Sequence, residues 1–215
     1  MPARSSKRRK TVKAILDQYG RTWAEEAGIL VENKPAPLFQ LLCLSLLLSA
    51  RIRNETAVSA QRALIVRGWT TPKRLLASTW EERAHVLNRS GYARYDEKTS
   101  RMLEQVSRLL ESRWRGDLRK LRDEAHFDCG TEHRLLQVFS GIGPVGATIF
   151  SRECQGLWDE LYPYADTRSL DVARRLGIAR SVEELAHLCP RPDFPRLVAG
   201  LVRIDLARAY DKVDL

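Results

Sequence analysis

Two features of the sequence are candidates for binding or catalysis: a glycine hairpin and an aspartate 23 residues after it. The hairpin is Gly141-Ile142-Gly143, with apolar residues at helical spacing on both sides. Glycine suits such a hairpin because it adopts positive φ angles and lets a backbone or a phosphate approach closely. The helix that follows begins with N–H groups that have no helical partner, which favours a phosphate there. The pattern predicts a contact with the phosphate backbone of a nucleic acid, although a plain turn between two helices would have the same sequence pattern.

Asp166 is the candidate for acid–base or electrostatic chemistry. It lies in the segment YADTR, residues 164–168, ahead of a helix predicted to end at Gly177. A carboxylate can orient or deprotonate a water molecule and can stabilise a developing positive charge. The ordinary alternative is an N-cap that satisfies the first N–H groups of the helix. Asp171 is not expected to pair with Asp166, because five residues along a helix place it about 140° away.

Apolar residues recur at helical spacing almost throughout the chain, and no stretch alternates as a half-buried strand would. These patterns predict an all-α protein. A segment with two prolines, residues 32–37, separates the first two helices. Helices are predicted at about 11–27, from 38 onward, at 55–67, after Thr71 and Thr79, and at 96–113, 135–139, 145–154, 167–176 and 194–210.

The charge of the chain favours an anionic partner such as nucleic acid. The 215 residues include 36 basic and 27 acidic ones, a formal net charge of +9. Residues 1–13 carry six of these excess charges, and they form either a solvated tail or a phosphate contact. With 44% hydrophobic and 29% charged residues, the composition is typical of a soluble globular protein. The longest apolar run, Leu38–Ala50, is too short for a membrane span of about 20 residues and predicts a buried helix.

The four cysteines are scattered, at positions 43, 129, 154 and 189, with no Cys-x-x-Cys pair and no histidine at ligand spacing. This spacing indicates neither a zinc site nor an iron–sulfur cluster. Unpaired, scattered cysteines suit a reducing compartment. We therefore predict a cytoplasmic location.

Four segments, in order, resemble motifs of the endonuclease III-like DNA glycosylase superfamily. The hairpin and its flanks resemble the superfamily's helix-hairpin-helix, and Asp166 falls where the superfamily has a catalytic aspartate. Upstream, LLLSAR at 46–51 resembles a Leu-Leu-Ser-Ala-Gln stretch, and Gly91-Tyr92 with Lys98 resembles a Gly-aromatic-x-x-Lys loop. The matches span residues 38–177, about two-thirds of the chain.

The resemblance implies a two-lobed, all-α fold with a DNA-binding cleft between the lobes. The central bundle, at 36–160, would carry the helix-hairpin-helix, and residues 1–35 with 161–215 would form the second lobe. The implied partner is double-stranded DNA with a damaged or mismatched base, which a nucleoid-associated monomer flips out of the stack. Asp166 would then activate the water that hydrolyses the N-glycosidic bond. No membrane partner is expected.

The resemblance also implies which residues contact DNA. Arg51 and Tyr92 hold the positions that fill the gap left by the flipped base, unless Arg51 is a solvated helix end and Tyr92 a packed aromatic. Arg168 either contacts phosphate or pairs with a nearby acid such as Asp171. The full predicted set is Gly141, Ile142, Gly143, Val145, Gly146, Arg51, Tyr92 and Arg168.

Two departures from the superfamily limit what the resemblance implies. Val145 stands where bifunctional members have the lysine that cleaves the strand through a Schiff base, and without an amine no imine forms. The four-cysteine cluster motif is also missing, since only Cys189 lies beyond residue 154. We therefore expect a monofunctional enzyme with no iron–sulfur cluster and no metal site. Family analogy leaves room for a monovalent cation at the hairpin carbonyls.

Two other functions stay open on the sequence. One is a non-catalytic DNA-binding protein that has kept the hairpin and lost base excision, a reading that Val145 favours. The other is a bifunctional glycosylase and lyase that uses a different lysine. Lys98 is the lysine of the central region that matches a superfamily position, and Lys120 lies in a polar stretch.

Overall fold

The computed structural model describes residues 2–213 and the side chains of residues 6–213. Within that range the backbone forms thirteen α-helices and no β-strand, which confirms the predicted all-α class. A π-helical turn, Asn88–Tyr92, precedes the seventh helix. The helices are α1 (Pro2–Tyr19), α2 (Trp23–Glu26), α3 (Pro35–Leu48), α4 (Asn54–Val66), α5 (Pro72–Leu76), α6 (Trp80–Leu87), α7 (Asp96–Trp114), α8 (Leu118–Glu124), α9 (Cys129–Leu136), α10 (Pro144–Cys154), α11 (Thr167–Arg175), α12 (Val182–Ala186) and α13 (Phe194–Ala207).

The chain forms two compact units. The central unit is Ala24–Phe150, and the terminal unit combines the segment up to Trp23 with the segment from Ser151 onward. The resemblance implies a central bundle at 36–160, and the central unit both begins and ends earlier than that range. At its start, Arg62 of α4 donates a hydrogen bond from Nε to the Glu26 carbonyl, 2.6 Å away, which ties α2 to this unit. The DNA-binding cleft stays a prediction.

The central unit is built around α3. Pro35 begins this helix, at a position where the missing N–H costs no helical hydrogen bond. Leu41, Leu42 and Leu44 have no exposed surface, as expected of a helix that is apolar on every side. The apolar run is therefore a core helix. None of the helices in the described chain combines the length and apolarity that a membrane crossing requires.

Two of the predicted helix starts have the expected caps. Thr71 caps α5 by accepting a hydrogen bond from the Arg74 N–H. Thr79 and Glu82 form a reciprocal capping box at the start of α6, with N···O distances of 3.2 and 2.8 Å. These caps satisfy N–H groups that would otherwise lack helical partners.

In the terminal unit, α1 packs against α13. At Gly200 of α13, an added methyl carbon would lie only 2.8 Å from Ile15 Cγ2, so the two helices meet closely there. The predicted helix 11–27 is instead two helices, because the chain turns after Tyr19 before α2 begins. The basic residues of segment 1–13 lie within α1, which begins at Pro2, although the side chain of Arg4 lies outside the described residues.

Candidate functional site

The hairpin between α9 and α10 is held by contacts inside the central unit. Gly141 has a φ of +82°, and a methyl group there would lie 2.9 Å from Met102 Sδ. Ile142 is 3% exposed and donates its N–H to the Phe139 carbonyl. At Gly146, an added methyl carbon would lie 2.7 Å from Ser49 Oγ. Two of the predicted DNA contacts, Ile142 and Gly146, are thus buried and hold the hairpin in shape.

Gly143 has no such internal constraint. Its φ is not positive, and a methyl carbon placed on it would have no other atom within 4 Å. Val145, two residues later, is 62% exposed. The N–H groups of Val145 and Gly146 fall in the first helical turn, where an α-helix offers them no partner. The hairpin therefore presents N–H donors beside a residue that has no side chain, and this geometry admits a closely approaching anion.

A cavity of about 240 Å³ in the central unit brings together three of the sequence motifs. Arg51 from the LLLSAR segment, Tyr92 and Lys98 from the following loop, and Gly141 of the hairpin all line it. Two of these residues are cations, both exposed, and no carboxylate lines the cavity. The cavity is smaller than the roughly 300–1,000 Å³ of drug-sized ligand sites. The size of the cavity suits one aromatic ring or one phosphate group, and its two cations favour the phosphate.

A larger cavity, about 640 Å³, lies elsewhere in the central unit. It is lined by parts of α4 and α6, including Val66, Glu82 and His85. None of the predicted site residues lines it. Its lining mixes acidic, basic and apolar groups.

The structure distinguishes the two interpretations of Tyr92. Its ring has no exposed surface, and its hydroxyl donates a 3.0 Å hydrogen bond to the Leu47 carbonyl. Burial raises the pKa of Tyr92 to about 12, as expected of a phenol held away from water. Tyr92 is thus the packed aromatic in this structure, whereas Arg51 is exposed beside the same cavity.

Asp166 lies in the terminal unit, where both of its carboxylate oxygens have partners. It is the N-cap of α11: Oδ1 accepts hydrogen bonds from the backbone N–H of Ser169, at 2.7 Å, and from the Ser169 hydroxyl. Oδ2 lies 2.9 Å from Arg152 Nη1. The side chain is only 16% exposed. The capping interpretation of Asp166 is therefore confirmed, and it is compatible with a chemical role because the carboxylate is held in one orientation.

Arg152, at the end of α10, is the cation that faces Asp166. Its side chain is 5% exposed, and its guanidinium carbon lies 4.9 Å from the centre of the Trp23 ring. Arg152 Nε is buried without a hydrogen-bond partner. A buried guanidinium depends strongly on its carboxylate partner, so Arg152 and Asp166 fix each other.

Gln155 fixes the segment that leads to Asp166. Its side-chain amide is buried and pairs with the backbone of Tyr164 on both sides, donating to the carbonyl at 3.0 Å and accepting from the N–H at 2.9 Å. The same Nε2 also donates to the Arg152 carbonyl. Neither Gln155 nor Arg152 is among the site residues predicted from the sequence. A signal was present, since both are polar residues at the end of a helix that is otherwise largely apolar.

Arg168 and Asp171 have other partners. Arg168 Nε lies 3.2 Å from Asp205 Oδ2 on α13, and its side chain is half-exposed. Asp171 pairs with Arg174 one helical turn along, at 2.8 Å. Of the two interpretations of Arg168, the structure shows the one in which it pairs with an acid, and that acid is Asp205 rather than Asp171.

The fold of the chain is that of endonuclease III. It is similar to a solved non-covalent endonuclease III–DNA complex, with a TM-score of 0.55, 18% identity, and coverage of 93% of this chain and 85% of that one. It is also similar to a trapped endonuclease III–DNA covalent intermediate, an estranged-adenine complex, with a TM-score of 0.50, 19% identity, and coverage of 91% and 85%. No protein-family model and no curated protein sequence matches the chain. The fold that the motifs imply is thus confirmed.

The residues present do not fit the four-cysteine cluster motif that the superfamily usually carries. Such a cluster is held by four cysteine thiolates, and beyond Cys154 this chain has only Cys189. Among the residues that the structure describes, no group of three or more histidine, cysteine, aspartate or glutamate side chains is arranged to hold a metal ion.

Proposed function

We propose that the protein is a DNA glycosylase that removes a damaged or mismatched base by hydrolysis. The observation that carries this proposal is Asp166, a carboxylate fixed through both oxygens in a chain with the endonuclease III fold. With the target nucleotide flipped out of the duplex, the carboxylate orients the attacking water and stabilises the cationic sugar. Water adds to C1′ as the glycosidic C–N bond breaks. The base leaves with a proton from that water, and an abasic site remains.

The hairpin supplies sequence-independent contacts to the DNA backbone in this proposal. The N–H group of the exposed Val145 faces a phosphate, and Gly143 lets the DNA backbone approach, while the buried Gly146 holds the hairpin in shape. Arg51 fills the gap left by the flipped base, since Tyr92 is buried. Lys98, the other cation at the same cavity, contacts phosphate. None of these steps uses a metal or an organic cofactor, and we expect the enzyme to act as a monomer.

The glycine hairpin gives a paired test of DNA binding. Gly143→Ala is expected to keep the free energy of unfolding within about 1 kcal/mol of the wild type, because the methyl group meets no neighbouring atom. It is expected to weaken duplex binding roughly tenfold, because the methyl group occupies the space that the phosphate needs. Urea unfolding and fluorescence anisotropy measure the two effects.

Gly141→Ala serves as the contrasting variant. Its positive φ and the contact with Met102 predict a loss of about 1–3 kcal/mol in unfolding free energy. If Gly143→Ala binds duplex as tightly as the wild type, the hairpin is only a turn and the proposed backbone contact is wrong.

Monofunctional chemistry follows in this proposal from Val145, which cannot form an imine. A panel of duplexes with uracil, mismatched, alkylated and oxidised bases tests it, with released base measured directly and borohydride added to trap any Schiff base. We expect release from at least one duplex and no trapped protein–DNA adduct. An adduct that Lys98→Gln abolishes would instead establish the lyase alternative. Lys120→Gln is the matched lysine control.

A non-catalytic DNA-binding protein is the second candidate. One observation favours it: Ser169 and Arg152 already occupy both oxygens of Asp166. Binding across the whole panel with no release from any duplex would establish this alternative.

A further inference from the structure

The surface of α1 carries a compact group of cations that the proposed chemistry does not use. Lys7, Arg9, Lys10 and Lys13 are all exposed, and none of them makes an ion pair with a described residue. We define these four residues as the basic face of α1. The opposite side of the helix is buried, with Val12 and Ile15 in the core of the terminal unit. The basic face is therefore held on a docked helix.

This face supplies the positive charge of the terminal unit. Outside residues 1–13, the unit consists of residues 14–23 and 151–215, which together carry 11 basic and 12 acidic residues. Many of those cations are paired locally, such as Arg174 with Asp171 and Arg191 with Asp159. Without the N-terminal cations, the unit that contains Asp166 would have no net attraction for a polyanion.

The spacing of the cations indicates an anionic partner. Arg9 and Lys13 are four residues apart, and Lys10 lies three residues from both Lys7 and Lys13. Like charges at these spacings lie on the same side of a helix, and each pair disfavours it by about 0.2–0.5 kcal/mol. An anion on this face would relieve that repulsion. From Lys7 to Lys13 the helix rises about 9 Å, over which duplex DNA presents roughly five phosphate charges.

The buried side of α1 favours nucleic acid over a lipid surface. A helix that binds a bilayer inserts an apolar face between the lipids, usually with aromatic or leucine side chains. In α1 the apolar residues Val12 and Ile15 are already packed against the core, and Ile15 meets Gly200 of α13. The exposed side offers charge without an apolar anchor.

We propose that the basic face of α1 binds the phosphate backbone of duplex DNA, as a contact separate from the hairpin. This inference rests on the proposed function, because that function supplies DNA as the polyanion. The contact would add affinity that does not depend on the sequence or on the lesion, so that Lys7, Arg9, Lys10 and Lys13 contribute to binding undamaged DNA as well.

The test measures binding of the full chain to an undamaged labelled duplex over a series of KCl concentrations. For Lys10→Gln/Lys13→Gln, the slope of log affinity against log salt is expected to become less negative by about 1.8, since each lost phosphate contact contributes about 0.9. Affinity at 50 mM KCl is expected to fall by about tenfold or more. Circular dichroism and a thermal melt check that the variant is folded.

The matched control is Arg174→Gln/Arg191→Gln, which removes the same charge from two half-exposed, ion-paired arginines of the same unit. Its slope is expected to stay near that of the wild type. Equal slopes for wild type and Lys10→Gln/Lys13→Gln, or equal losses in both double variants, would overturn the inference. The inference would also be overturned if binding to phosphatidylserine vesicles depended on Lys10 and Lys13 and binding to duplex DNA did not. If the slopes of the wild type and the two double variants are as predicted but the wild type releases no base, the glycosylase proposal is contradicted and this inference stands.

Discussion

Asp166→Asn is expected to slow base release by at least about 1,000-fold while duplex binding stays within a few-fold of the wild type. Asparagine keeps an oxygen that can accept the Ser169 N–H, so α11 retains a cap, but the buried Arg152 loses its carboxylate partner and the variant is expected to be less stable than the wild type. The substitution removes the negative charge that orients water and faces the cationic sugar, and such groups contribute about 100- to 10,000-fold to rates. Single-turnover release with enzyme in excess measures the chemical step alone.

Asp117→Asn is the matched control for this substitution. Asp117 caps α8 by accepting the Arg119 N–H at 3.0 Å, and it also forms a 2.7 Å ion pair with Arg119. Its side chain is 13% exposed, close to the 16% of Asp166. The control therefore removes another capping, arginine-paired carboxylate of similar exposure, although its partner Arg119 is 44% exposed and Arg152 only 5%, and it is expected to leave base release unchanged. Unimpaired release by Asp166→Asn, or equal losses in the two variants, would show that Asp166 is only a cap.

Arg152→Met is expected to lower both stability and base release. Methionine keeps an unbranched, apolar stem beside Trp23 but leaves the mostly buried Asp166 carboxylate without its cation. Removing one partner of a buried ion pair costs about 3–5 kcal/mol, which for a chain of this size lowers Tm by roughly 10 °C. A carboxylate that shifts by about 1 Å can cost about 100-fold in rate, so release should fall with kcat rather than through KM.

Two further variants separate a positioning role for Arg152 from general loss of structure. Arg174→Met breaks the exposed pair with Asp171 and is expected to cost less than about 1 kcal/mol. Arg152→Lys keeps the charge and is expected to restore part of the rate. If Arg152→Met raises the rate of release, Arg152 restrains Asp166 instead of positioning it.

The parts of the fold that follow from local patterns were predictable. The caps at Thr71 and Thr79, the core helix α3 and the hairpin all follow from residue types at fixed spacing. The start of α1 was not predictable, because a run of cations at a chain end resembles a solvated tail. What places it in a helix is the packing of Val12 and Ile15 against α13, which lies almost 200 residues away in the sequence.

Of the candidate site, only the residues that belong to sequence motifs were predictable. Asp166 and the glycines stand out by motif, and the structure gives each a defined local geometry. Arg152 and Gln155 were not predictable, since their roles depend on contacts with Asp166 and Tyr164 across a loop. The burial of Tyr92 depends likewise on a hydrogen bond to Leu47, 45 residues earlier in the chain.

The most direct test of the proposed mechanism uses the lesion that the wild type releases fastest, in a single-turnover reaction split into samples with and without alkali. Alkali breaks a strand at an abasic site, so a monofunctional glycosylase gives breaks only in the treated sample. We expect breaks after alkali with the wild type and Asp117→Asn, and formation of such breaks at least about 1,000-fold more slowly with Asp166→Asn. Breaks without alkali, or equal breaks with wild type and Asp166→Asn, would contradict hydrolysis by Asp166.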